Sequence, residues 1–532
     1  MFRKLIFLFT LFFSLQSLAQ TSYQAAIAIG GPGNDGGNSI ISTSDGGFTI
    51  TGYTSCSSCP SDMYIVRLDS ANKLLWTRTI GGSNDDYGYS LTQTTDGGFA
   101  VSGYTSSYGA GGGGIYVIKV DSAGNLLWSE TIDGQKGYSI AQTTDGGFVI
   151  AGYTQSCGIC ATRACIIRLN SLGGLKWSET IGGTSHDTAC AVIQTTDGGF
   201  AIAGTTTSFG AGGNDAYMIK LDSTGNLQWA ESIGGTQNDA AYSITQTYDG
   251  GYALAGSTSS YGAGGEDIYI IKLDLNGNLK WTRTLGGTSD DVATSIIESA
   301  DRSLIVTGNT ASAVSQLISK NDIYVAKLDS VGNLKWNNAI IGGTSYANSI
   351  TQTKTGGFAI VGTTTFFGSG GNDLYMLLID SLGHSCVNED SVLGITSIDS
   401  GKVSLGGKIN VLTSTTISID TSSNDTGGAY ALYCSNTGPT HASSLLLVEN
   451  GVEIFPNPTQ RDMTLRYSTQ SPDPVSITIT DISGKTIQAY TINEVQQGVN
   501  EYPIATATLA QGMYLIKISN AQKTFYQKFI KQ

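Results

Sequence analysis

Between Ser243 and Gly287 apolar and polar positions alternate in short runs separated by tight-turn residues: SITQTYDGGYALAGSTSSYGAGGEDIYIIKLDLNGNLKWTRTLGG. SITQT and YALAGST alternate in type and flank a Gly-Gly turn, a hairpin signature. IYIIKLD is β-branched and aromatic, as a half-buried strand requires. LKWTRTLGG follows LNGN, where other copies carry DSxGN. Asn and Gly accept positive φ, so this is a second tight turn. The pattern predicts four short strands, and no stretch has the 3.6-residue period of a helix.

This unit recurs. The Asp-Gly-Gly-aromatic turn appears at Asp45, Asp96, Asp145, Asp197 and Asp249, with degenerate forms at Asp301 and Thr355. The steps are 51, 49, 52, 52, 52 and 54 residues. A second marker, the tryptophan of an LxW segment, keeps the same period at Trp76, Trp128, Trp177, Trp229, Trp281 and Trp336. Four strands in about 50 residues fit a propeller blade, because kelch-type repeats have that period. There are seven turn markers but six tryptophans. The seventh copy stops at IDSLGHSC, and Ala25 to Gly31 (AIAIGG) resembles the TIGG ending of the other copies. The expected architecture is all-β: a seven-bladed β-propeller over 20–385, with the N-terminal strand completing the last blade. Closure protects edges that a solenoid, the rival architecture, leaves exposed.

Residues 386–444 leave the repeat and form a Ser/Thr-rich segment ending in the linker-like SNTGPTHASS. Residues 445–532 read as a separate small β-sandwich. At the other end, MFRKLIFLFTLFFSLQSLAQ has a basic pair, an apolar run and small residues before Ala19. That is the pattern of a secretory signal peptide over 1–19. The apolar run is far short of the roughly 20 residues a membrane span needs, so no transmembrane segment is expected.

Charge narrows the partners. Lys+Arg 28 against Asp+Glu 42 gives −14 with no basic cluster, which disfavours nucleic acid and anionic lipid surfaces. The eight cysteines include Cys56-Cys59 and Cys157-Cys160 at equivalent places in the first and third copies. An exported chain favours loop-local disulfides, with zinc binding and free thiols as the alternatives. Cys386 and Cys434 bracket the Ser/Thr-rich segment and suit a staple. The pairing of Cys165 with Cys190 stays open.

The repeat copies resemble bacterial β-propeller repeats of secreted proteins, and KLDSxGNLxW is similar to a segment of quinoprotein propellers. In the last segment Phe455, Pro456, Asn457 and Pro458 are followed by Asp481 to Lys485 (DISGK, with Gly484), then Leu509, Gly512 and Tyr514, then a basic end that includes Lys528. This resembles the type A C-terminal sorting domain of cargo for the type IX secretion system of Bacteroidetes. Where many members place a glycine after the PNP motif, this chain has Thr-Gln-Arg. The resemblance implies export through the periplasm, engagement of the type IX machinery by 445–532, and release or attachment at the cell surface.

Within the repeats the DGG and DSxGN turns share one propeller face and are explained by backbone geometry. The variable loops share the other, where function usually sits. There Tyr108, Phe209, Tyr261 and Phe367 precede Gly-rich runs, and Asp215, Asp267 and Asp373 (with Asp62 and Asp322) open the third strand. Aromatic faces beside carboxylates suit a sugar, or calcium held by oxygen ligands. The plainer reading has the aromatics packing under their loops and the aspartates capping turns. No other cofactor and no catalytic cluster is expected: His186 beside Asp187 and the singular Glu298 are the nearest to one. The function expected is an exported, non-catalytic binding or adhesion propeller for an extracellular glycan or protein. The alternatives are a propeller enzyme acting on polysaccharide or a quinoprotein-like substrate, and a structural surface-layer component.

Overall fold

A computed structural model describes residues 24–386 apart from 57, 110–112, 133, 156–160, 313–321, 341–344, 366 and 369–370, with strand segments in 389–436 and most of 452–531. The expected signal peptide, the Cys157-Cys160 pair, Pro456, Asn457, Pro458 and Gly484 lie outside the described residues. The chain divides into two compact units, Met1–Gly438 and Pro439–Gln532.

Among the described residues every regular element is a β-strand. The fifth copy sets the pattern: Asp239–Gln246, Tyr252–Thr258, Asp267–Leu273 and Leu279–Leu285 pair in sequence order as one antiparallel sheet. The first, second, third, fourth and sixth copies each build the same four-stranded sheet. The last copy supplies Ser345–Gln352, Phe358–Thr364 and Asp373–Ile379, and takes its fourth strand from Gln24–Gly30. The register runs from Ala25 opposite Leu378 to Ile29 opposite Leu374. All seven residues of Gln24–Gly30 are buried, and all but Gln24 are apolar.

The turn chemistry explains the markers. At the first turn of the fifth copy Gly250 sits at φ +83° and its N–H donates to Thr247 O at 2.8 Å. Asp249 Oδ1 accepts from Gly251 N–H and Thr247 Oγ, and its carboxylate pairs with the buried Lys272 of the third strand. The same turn-to-strand ion pair recurs as Arg67–Asp45, Lys119–Asp96, Arg168–Asp145, Lys220–Asp197 and Lys327–Asp301. At the second turn Asp274 Oδ1 accepts from Asn276 and Asn278 N–H, and Gly277 adopts φ +87°. A Cβ on Gly277 would stand 3.1 Å from the Trp229 ring of the preceding copy. That ring also meets Tyr252, the aromatic of the fifth copy's own DGG turn, edge-on at 6.1 Å. Each tryptophan therefore seats in the two turns of the next copy, and this coupling keeps both markers in step.

First strands of successive copies lie side by side. Ile296 N–H donates to Ser243 Oγ of the preceding copy at 3.1 Å. Asn348 Nδ2 of the last copy donates to Gly37 O of the first at 2.8 Å, and Asn38 Nδ2 donates to Gly88 O of the second at 2.8 Å. Apolar residues of the first and last copies share one core cluster.

The segment after the repeats adds fifth strands to four sheets. Glu389–Asp390 pairs with Leu334–Ile340, Lys402–Leu405 with Leu227–Gly234, Lys408–Val411 with Leu175–Gly182, and Ala429–Asn436 with Gln24–Gly30. These strands cover otherwise open sheet edges. In the second unit, Val452–Phe455, Met463–Thr469 and Gly498–Ile504 form one sheet. Thr486–Ile492, Val475–Asp481, Gly512–Ser519 and Thr524–Lys531 form another. Met463, Leu465 and Ile504 of the first share a core with Ile477, Ile479, Ile516 and Ile518 of the second.

Candidate functional site

Every first strand carries one irregularity at the same place. Pairing with the second strand shifts across Gly37/Ser39, Gly88/Ser90, Gly137/Ser139, Ala189/Ala191, Ala241/Ser243, Ala293/Ser295 and Ala347/Ser349. The residue left over at each shift is a β-bulge, a device that bends the strand and re-aims a side chain. The bulged residues are Asn38, Tyr89, Tyr138, Cys190, Tyr242, Thr294 and Asn348. Their neighbours are uniform: Gly or Ala before, and Ser (once Ala) after. All of the bulged residues except Thr294 line a single cavity of about 510 Å³. Asn214, Asn238 and Glu266, from loops of the fourth and fifth copies, also contribute.

The wall is neutral and aromatic on one side. Tyr89 and Tyr138 line it, within a chain of ring contacts that runs Tyr53, Tyr87, Tyr89, Tyr138 and Tyr153 with centroid separations of 5.5, 6.2, 5.6 and 5.7 Å. Burial raises the Tyr89 and Tyr138 phenols above their ordinary value, and partial desolvation raises that of the more exposed Tyr242. Burial also pushes the Cys190 thiol up to about 12. All four groups therefore remain protonated and uncharged. Lys136 Nζ lies 5.7 Å from the centre of the Tyr89 ring. The carboxamides are fixed by neighbouring copies, Asn38 on Gly88 O and Asn348 on Gly37 O.

The loop residues singled out in the sequence lie elsewhere in the repeat. Tyr108 and Tyr261 are half-buried and donate their phenolic O–H to Gly81 O at 2.7 Å and Gly234 O at 3.1 Å. The rings of Tyr108, Phe209, Tyr261 and Phe367 rest against Tyr116, Tyr217, Tyr269 and Tyr375 of the third strands. Asp215, Asp267 and Asp373 are buried where one copy meets the next. A Cβ on Gly234 would stand 2.2 Å from Asp215 Oδ1 and 2.5 Å from Asp239 Oδ2, so this glycine is wedged between two carboxylates. Gly30 is held in the same way by Asp373 and Asp35, and Gly286 by Asp267 and Asp291. Burial, with Asp239 beside it, raises Asp215 to about 6. Asp267 is likewise raised by burial, while its Oδ2 accepts from Ala263 and Gly264 N–H. Among the described residues no group of three or more His, Cys, Asp or Glu is placed to hold a metal ion.

The His-Asp pair and the singular glutamate have structural partners. Asp187 Oδ2 accepts from Gly183 N–H and Ser208 Oγ, as Asp239 Oδ2 accepts from Gly235 N–H and Ser260 Oγ one copy later. His186 Nδ1 lies 3.2 Å from Thr162 N. Glu298 Oε2 accepts Tyr248 N–H at 2.8 Å, as Gln246 accepts Thr196 N–H. Cys56 and Cys59 are disulfide-bonded, Cys386 is in a disulfide, and Cys165 and Cys190 are free thiols. Cys434 lies on the strand Ala429–Asn436, whose side chains are outside the described residues.

In the second unit Phe455 and Asp481 end their strands, and Lys528 lies in the last strand opposite Leu515. Tyr514 is buried and donates its O–H to Ala510 O at 2.9 Å, while Gly512 and Lys485 are exposed.

The first unit thus defines an all-β protein of repeated four-stranded antiparallel sheets. Residues 453–532 match the secretion system C-terminal sorting domain family. This stretch is a type IX sorting domain, and it addresses the chain to the medium or the outer surface. The regulatory protein FlaEY of Caulobacter vibrioides is 30% identical over 114 residues, 19% of this chain and 12% of that protein's length. Among solved structures, a protein of unknown function from Dyadobacter fermentans is 10% identical over 68% of this chain and 99% of its own, with a TM-score of 0.41. PorZ, described as a surface component of the type IX secretion system of Porphyromonas gingivalis, is 9% identical over 96% of this chain and 100% of its own, with a TM-score of 0.17.

Sequence reasoning overlooked the bulged positions. One signal was available: with the copies aligned, a varying residue of the first strand is framed by Gly or Ala on one side and, in all copies but one, by Ser on the other.

Proposed function

We propose that the protein is an exported, non-catalytic binding or adhesion protein whose repeats form a seven-bladed β-propeller. In this reading a signal peptide over 1–19 brings the chain to the periplasm, and residues 445–532 engage the type IX machinery. The propeller then presents its central cavity to an extracellular glycan or protein. The observation that carries the binding role is that cavity: bulged side chains from six of the copies meet in it, and they vary between copies while the residues on either side of them stay Gly or Ala and Ser or Ala. A site that served the repeat alone would repeat with it. Ring closure is supported by pairing of Gln24–Gly30 with the last copy and by the Asn348-to-Gly37 bond between the last copy and the first.

The export half is tested by deleting 453–532 in a host with the type IX system. The full chain is expected in the medium or on the outer surface, and the deleted chain in the periplasm; equal surface delivery of both would refute it. The binding half is tested with the purified full chain on a mixed array of extracellular glycans and matrix proteins. Saturable binding to some feature is expected, and silence across the array counts against it.

A further inference from the structure

We propose that the bulged side chains form a reading ring for a neutral saccharide, with Tyr89, Tyr138 and Tyr242 as the stacking faces and Asn38 and Asn348 as the hydrogen-bonding rim. The proposal rests on the binding role above and specifies its ligand.

The cavity volume of about 510 Å³ is within the range of roughly 300–1,000 Å³ for small-molecule sites. A sugar presents flat C–H faces and a fringe of hydroxyls. Phenol rings take the faces while their O–H groups bond the fringe. Carboxamides donate and accept at once, and Glu266 adds an acceptor at the margin. Charge bears on the other ligands three tyrosines can hold. An aromatic wall beside a carboxylate also suits a quaternary ammonium, but Lys136 already places a cation beside Tyr89. A second cation there meets like-charge repulsion. An anion meets the carboxyl side chains of Glu266 and Asp239 in the lining, with Lys136 beside Tyr89 to set against them. A neutral, hydroxyl-rich ligand avoids both the lysine beside Tyr89 and the carboxyl groups of the lining, and free choline in the test below separates it from a cation.

The bulge explains how a repetitive scaffold becomes selective. The flanking small residue and serine are needed for packing and for bonds between copies, such as Ile296 N–H to Ser243 Oγ. The extra residue is released from the ladder within its own sheet, so side chains as different as Tyr, Asn, Cys and Thr occupy it on the same strand geometry. The tyrosines at this position therefore read as ligand chemistry, while Asn38, Thr294 and Asn348 also tie one copy to the next.

The test uses the purified full chain with a panel of neutral gluco-, manno-, galacto- and xylo-oligosaccharides, plus sialylated and sulfated counterparts and free choline. Calorimetry is expected to find a neutral oligosaccharide that binds one per chain. Tyr242→Ala, at an exposed position that bears no core, should weaken that affinity roughly tenfold, the scale of one lost stacking contact. Tyr138→Phe and Tyr242→Phe keep the ring and should lose only about two- to fivefold, one neutral hydrogen bond each. Phe209→Ala and Tyr261→Ala in the loops should leave affinity within twofold. Loss in the loop variants with none in the Tyr242 variants would overturn the reading ring while keeping the binding role. Tighter binding of choline or a sulfated sugar would overturn the neutral class. A panel that binds nothing, beside saturable binding to a protein on the mixed array, would sink the saccharide and spare the binding role. Silence in both would sink both.

Discussion

At the scale of single residues, two sets of aspartates pull stability in opposite directions with pH. Asp215, raised to about 6 by burial and by Asp239, keeps a proton in the folded chain that an unfolded aspartate of pKa about 3.9 has released. The folded state then binds more protons than the unfolded one between those values, so this contribution to stability falls as pH rises from about 4 to 6. Asp215→Asn should flatten that part of the Tm profile, as read by differential scanning calorimetry; an unchanged slope would mean that Asp215 titrates normally. The turn aspartates act the other way. Asp45, lowered to about 2 first by the Thr43 hydroxyl, and Asp96, lowered to about 2 first by Lys119, add stability that is complete above about 4 and lost as pH falls towards 2. Asp96→Asn should therefore destabilise at neutral pH and matter little near pH 2. The acidic residues were legible in the sequence, but their work was only half so. Their repetition marked them as servants of the repeat. It did not show that Asp215 and Asp239 flank Gly234, because that contact joins two copies.

At the scale of elements, the repeat is held by a tryptophan docking into the next copy. Gly277→Ala forces a side chain into φ +87° and against Trp229, so a loss of about 1–2 kcal/mol is expected in urea unfolding. Trp229→Ala should cost about 3 kcal/mol, since the ring is packed but not fully enclosed. The two changes should be non-additive, because without the ring the added methyl has room. Additive losses would show that the contact is not what fixes the turn. The strands were readable because each is bounded by its own turn chemistry: DGG with its ion pair, DSxGN with its aspartate. The site was not. A bulge is a relation between two strands, two residues facing one, and nothing within a single SITQT reveals that Tyr242 is the one left over. The loop aromatics drew attention because loops usually bear function, yet Tyr261 spends its O–H on Gly234 O.

At the scale of the whole molecule, the first strand of the chain belongs to the last sheet. Removing residues 24–30 would uncover Leu374, Met376 and Leu378, all buried beside it. A chain beginning at Gly31 should show a lower Tm, faster proteolysis of 345–379 and binding of an apolar dye. A Tm equal to that of a chain beginning at Gln24 would refute the role given to the strand. The same strand holds Ala429–Asn436 on its other side, so its loss should also release the segment after the repeats.

The strand QAAIAIG also carries a kinetic burden. Ala25 is made early and must wait for Leu378 before it has a partner. Closing so long a loop is entropically costly, and pairings of high sequence separation form slowly. Until then the chain holds a strand that is apolar from Ala25 to Gly30 with both edges open, a template for pairing with other chains. In each other copy the four repeat strands can pair with their own neighbours in the chain as they emerge. The last step of folding is thus a docking of the two ends of the repeat region, and its rate sets how long each new chain remains prone to aggregate.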